Sequence, residues 1–74
     1  IAGDPVQPAH EVLSDREYEV LKLIAAGRTL TQIADELNLA VATISTFRAR
    51  ILTKLGLSST AEMIRYGLEH GLVE

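Results

Sequence analysis

Three cations, Arg48, Arg50 and Lys54, stand in a run (residues 39–57) that holds no acidic residue. Beside them are the hydroxyls of Thr43, Ser45, Thr46 and Thr53. Guanidinium, ammonium and hydroxyl groups set this closely can hold phosphate oxygens and base edges. The rest of the chain is acidic. Residues 1–39 carry seven carboxylates against three basic side chains, a net of −4, and residues 58–74 carry three against one, a net of −2. A chain of net charge −3 that gathers its positive charge in one segment has a footprint for an anionic partner, because phosphate binding needs local rather than total charge. The expected partner is double-stranded DNA, met by one face only.

Those groups act together only if a helix aligns them. Over about 41–55, projected at about 100° per residue, Ile44, Phe47, Ile51 and Leu55 fall on one side as a core face. Ala42, Thr46, Ala49 and Thr53 fall opposite, with Ser45 on one flank and Arg50 and Lys54 on the other. The outer face is small, uncharged and hydroxylated, with cations at its edge and towards its C-terminal end. Small residues let a helix sink into the major groove, Ser and Thr can donate or accept there, and flanking Arg reaches phosphate or guanine. A core helix with an incidental basic edge is the competing reading, and Phe47 reads as a packing residue rather than a base-stacking platform.

Three further helices must position this one. Ser14 and Glu17 fit a capping box, with Leu13 and Tyr18 placed as a hydrophobic staple. Val20, Leu21, Leu23, Ile24 and Ala25 follow, and Gly27 is a left-handed stop. Glu17 and Glu19 read as a solvated pair near a helix N-terminus. A second helix, about 30–37, opens on the Thr29/Gln32 box, carries Leu30, Ile33, Ala34 and Leu37 as one stripe, and ends at Asn38. A turn of about three residues then joins it to the basic helix, the arrangement of a helix-turn-helix. Gly56 stops the basic helix. Ser59 and Glu62 make a third box opening a last helix of about 60–69 before Gly71. Its apolar residues, Ala61, Ile64, Tyr66 and Leu68 with Met63 alongside, cover more than one face. One face would pack inward; the other would either dimerise through Met63, Ile64 and Leu68 or be covered by Leu72 and Val73.

Composition limits the alternatives. At 74 residues and 47% hydrophobic, with no Cys, the chain makes one all-α domain of four compact helices, without a disulfide or thiolate metal site. A chain this short buries only about 60% of its unfolded surface, leaving little for a catalytic cleft. Ser14, Asp15 and His10 lie near one another in sequence, but Ser14 is better explained as a cap, so an enzyme is set aside. His10 reads as solvated, His70 has no partner Cys or nearby His for a metal, and no cofactor is implied. No apolar run is long enough to span a membrane, and no signal pattern opens the chain; a soluble, cytoplasmic protein is expected. The chain begins at Ile1 and reads as a piece of something longer. Residues 1–12, with Pro5 and Pro8, read as an interdomain linker or frayed terminus before a domain at 13–74.

The residues resemble a known family. Leu13-Ser14-Asp15-Arg16-Glu17 with Val20-Leu21, then Leu23-Ile24-Ala25-Ala26-Gly27, Gln32-Ile33-Ala34, Leu37, Thr43-Ile44, and Ile51 with Lys54-Leu55-Gly56-Leu57, are similar to the LuxR/FixJ/NarL-type helix-turn-helix. The resemblance covers residues 13 to about 72. It implies a four-helix domain that binds DNA and forms a homodimer through its last helix. Such a domain usually serves as the C-terminal output half of a transcriptional regulator whose N-terminal half is a receiver or other regulatory domain. Carried over by position, Ser45, Thr46 and Ala49 would face bases, with Ala42 and Thr43 beside them, and Arg48, Arg50 and Lys54 would contact phosphate or base. Two departures stand out: Ala40 where the family often has a Ser cap, and Ser45 where it often has Lys. The string Thr43-Ile44-Ser45-Thr46-Phe47-Arg48-Ala49-Arg50 looks closest to response regulators of the BvgA/GacA kind, which favours a two-component regulator. The alternative is a helical protein-interaction module that keeps the fold without reading DNA.

Overall fold

A computed structural model describes residues 12–73. Four helices follow one another: α1 (Asp15–Ala25), α2 (Leu30–Leu37), α3 (Val41–Leu55) and α4 (Thr60–Glu69). There is no strand among the described residues, so the all-α expectation holds. The linker expected over residues 1–12, and His10 with it, lies outside the described residues except for Val12. No helix among the described residues is long and apolar enough to cross a membrane.

Local chemistry sets each helix start. Ser14 Oγ accepts the Glu17 N–H at 3.2 Å while the Glu17 carboxylate accepts the Ser14 N–H at 2.9 Å. Thr29 and Gln32 repeat the exchange at 3.1 and 2.9 Å. These are reciprocal capping boxes, each satisfying two otherwise orphaned donors. The expected third box is only half formed. Ser59 Oγ accepts the Glu62 N–H at 3.2 Å, but the Glu62 carboxylate reaches one residue further back, to the Ser58 N–H at 2.6 Å and its hydroxyl at 3.1 Å. Those two bonds hold the Glu62 carboxyl below the usual carboxylate range. α3 starts at Ala40 with no side-chain cap.

All four helices end alike. A residue in the left-handed region lets the next N–H return to a carbonyl five residues back: Arg28 to Leu23, Leu39 to Ala34, Leu57 to Leu52 and Leu72 to Gly67, at 2.8–3.1 Å. The pivots are Gly27, Asn38, Gly56 and Gly71. Asn38, at φ 59°, is the non-glycine among them, and Asn tolerates this region better than other side chains with a Cβ. It turns the chain within three residues, 38–40, from α2 into α3.

The core draws on every helix: Val20, Leu21 and Ile24 from α1, Ile33 and Ala34 from α2, Ile44 and Ile51 from α3, Met63 and Tyr66 from α4. Phe47 and Leu55 are half-buried against it. Helix α1 touches the other three, and α2 packs on α3. The α1–α4 seam is the tightest: a Cβ built on Gly67 would sit 2.4 Å from Ala25 Cβ. Two sequence expectations fail here. Met63 is fully buried and so cannot be part of a dimer surface. Glu17 is 3% exposed rather than solvated, because its carboxylate is enclosed between the start of α1 and the end of α3.

Candidate nucleic-acid interface

Helix α3 places the predicted groups as its periodicity requires. Ala42, Thr46, Ala49 and Thr53 are all exposed on the side away from the buried Ile44 and Ile51, and Thr43, Ser45, Arg50 and Lys54 are exposed around them. Thr46, Ala49, Arg50, Thr53 and Lys54 together line one open depression. The hydroxyl of Thr46 donates to the Ala42 carbonyl at 3.1 Å, so its hydrogen is turned onto its own helix. No carboxylate lines this depression.

The three cations differ in their commitments. Arg48 is half-buried and donates from Nε to Thr60 Oγ1 at 2.9 Å, tying α3 to the first turn of α4. Lys54 donates from Nζ to Glu17 Oε1 at 2.7 Å. In that ion pair the Lys54 side chain is 40% exposed and the Glu17 side chain 4%. The Lys54 bond, then the Ser14 N–H, hold the Glu17 carboxyl below its ordinary value against the opposing effect of burial. Among the described residues the Arg50 side chain makes no hydrogen bond or ion pair.

Sequence reasoning missed Glu17 and Thr60 as partners of the α3 cations. Neither carries a local signal, since each acts across the fold. It also missed a second recess on the flank of α3, lined by Ile24, Arg28, Thr29, Leu30, Arg48 and Thr60. There Arg28 pairs with Glu36 of α2. On α4, Ile64 is half-buried and Leu68 is 64% exposed. Leu68 borders a largely apolar groove with Leu23, Ala25, Ala26, Leu72 and Val73, with Lys22 also on its lining. The second His, His70, stacks on Tyr66 with ring centroids 4.1 Å apart.

Residues 11–67 match the sequence profile of the bacterial regulatory proteins of the luxR family. The chain belongs to that family. Over 73 residues it is 41% identical to the transcriptional regulatory protein MctR of Rhizobium johnstonii, covering 99% of this chain and 34% of that protein. Over 64 residues it is 42% identical to the oxygen regulatory protein NreC of Staphylococcus aureus, covering 86% of this chain and 30% of that one. The chain therefore spans about a third of the length of the curated relatives it matches. The luxR family is one of DNA-binding transcriptional regulators and not of enzymes. The exposed, acid-free face of α3 agrees with membership of such a family.

Proposed function

We propose that this chain is the sequence-specific, C-terminal output domain of a bacterial two-component response regulator. It acts in the cytoplasm, binds its operator as a homodimer, and lays α3 in the major groove. The observation that carries this reading is the outward face of α3, exposed and free of acid, presented by a three-residue turn from α2. Ser45, Thr46 and Ala49, with Ala42 and Thr43, face bases. Arg50 meets phosphate directly. Arg48 and Lys54 fix the helix against α4 and α1 and lie close enough to the groove edge to add to the local potential. Ile64 and the exposed Leu68 supply the dimer surface. The segment N-terminal to this domain carries a receiver or other regulatory domain, in keeping with the greater length of MctR and NreC.

In-vitro selection from random duplex DNA at moderate salt tests this. Enrichment of paired half-sites, at a fixed separation, is the expected outcome, and that separation gives the docking geometry. Enrichment of single half-sites would place dimerisation in the missing domain. A folded protein that enriches nothing, with no salt-dependent affinity for duplex, would instead favour the protein-interaction module. The engagement of two of the three α3 cations within the fold is what keeps that second reading in view.

A further inference from the structure

We infer that the α3 face reads thymine through its C5-methyl group, so that apolar contact rather than a charged fork sets most of the sequence preference. The inference rests on the proposed placement of α3 in the major groove. Four observations lead to it. The side chains that face outward along the depression, Thr46, Ala49 and Thr53, offer methyl groups, and its walls are mostly carbon. The Thr46 hydroxyl already donates to the Ala42 carbonyl, so it has no hydrogen to offer the O6 and N7 of guanine, while its methyl can still meet that of thymine. Of the cations beside this face, Arg48 is half-buried and turns its Nε to Thr60, on the α4 flank of the helix. Lys54 is held by Glu17. That leaves Arg50 at the edge, placed for phosphate.

In the major groove only thymine among the four ordinary bases projects a methyl, and Ala and Thr methyls are its fitting partners. The neighbouring O4 of thymine accepts a hydrogen bond. Ser45, exposed on the flank of this face, has a hydroxyl able to donate to it. Guanine, by contrast, offers two acceptors and no apolar group, and Thr46, Ala49 and Thr53 along the middle of the face carry no fork to meet them, Arg50 standing at its edge.

The test uses the 74-residue chain and the duplexes it enriches from a random library. Each thymine of the enriched half-site is replaced in turn by deoxyuridine, which removes the methyl and nothing else. Every contacted thymine should then cost about fourfold in affinity, the value of one buried methyl-sized group. Replacements outside the half-site should change nothing. Thr46→Ser keeps the hydroxyl and loses the methyl, so it should erase the penalty at one thymine; Thr46→Val keeps a methyl and should retain it. A consensus with guanine-dominated half-sites, or full affinity for the uracil duplexes, would overturn the inference and leave DNA binding standing. Absence of any salt-dependent duplex binding would remove both, and that outcome is separately visible.

Discussion

Replacing Glu17 tests how α3 is held. Its carboxylate accepts the Ser14 N–H and the Lys54 ammonium, and the same residue's N–H completes the capping box. Glu17→Ala removes all that the side chain does. Loss of the reciprocal cap costs about 1 kcal/mol. The ion pair, whose Lys54 side is 40% exposed to water, adds about 0.2–1 kcal/mol once screening is allowed for. Glu17→Ala should therefore destabilise by about 1–2 kcal/mol, and for a domain of this size each kcal/mol lowers Tm by about 4–8 °C. Glu17→Gln keeps an acceptor for Ser14 and loses only the charge, so it should lose less than half as much.

The pH dependence has a definite sign. The folded carboxyl is held below its ordinary value of 4.5. Its contribution is then fully present above that value and is lost as pH falls through the lower, folded pKa. Urea melts at pH 7 and in steps below 4.5 should show the parent losing its advantage over Glu17→Gln on acidification. In a double-mutant cycle, Lys54→Met should cost little in the Glu17→Gln background. An advantage independent of pH, or strictly additive substitutions, would refute the latch. Freed of Glu17, Lys54 becomes available to phosphate, so Glu17→Gln should also steepen the salt dependence of duplex binding, by a slope of up to about 1.

Arg50→Ala should weaken duplex binding similarly across sequences and reduce the salt slope by about 1, if phosphate is its target as proposed; a changed consensus at unchanged affinity would contradict that role. Leu68→Glu should lower self-association and DNA affinity with little loss of stability. Met63→Glu, by contrast, should unfold the domain, since it buries a charge where exposure is 0%; sedimentation and circular dichroism separate the two. Gly67→Ala should destabilise by about 1–3 kcal/mol through overpacking, although Ala is normally the better helix former. Ala25→Gly in the same chain should relieve much of that, and a Gly67→Ala variant as stable as its parent would refute the close α1–α4 approach.

The helices were legible because their signals are local. Ser14 with Glu17, Thr29 with Gln32, Asn38 and Gly56 each act within a few residues of themselves, so a linear reading finds them. The outer face of α3 was legible for a related reason: helical periodicity sorts residues by side without knowing what they meet. Glu17 was not, because the partner that changes it from a solvated carboxylate to a buried one is 37 residues away. Met63 was misplaced because α4 is ten residues long with apolar groups on two sides, and periodicity cannot say which side is inward. Gly67 decides that. Its missing side chain lets α4 approach Ala25 of α1, which turns Met63 and Tyr66 into the core and Leu68 out.

The same logic explains why the interface can be so sparing of charge. Arg48 and Lys54 are six residues apart, about 120° around the helix, and therefore fall on opposite flanks of α3. One is tied to the first turn of α4 and the other to the first turn of α1. Both ties use long side chains that would otherwise be mobile and costly to immobilise on a ligand. With its flanks fixed in this way, α3 presents methyls and hydroxyls on a preorganised surface, which under the proposed docking would draw selectivity from fit. Exchanging one cation for the other type, as in Arg48→Lys or Lys54→Arg, keeps total charge but alters those ties, since a guanidinium fork and an ammonium do not share geometry. Arg48→Lys should therefore lower affinity for the cognate duplex more than affinity for an unrelated one. Equal losses on both duplexes would mean that Arg48 serves only as a charge.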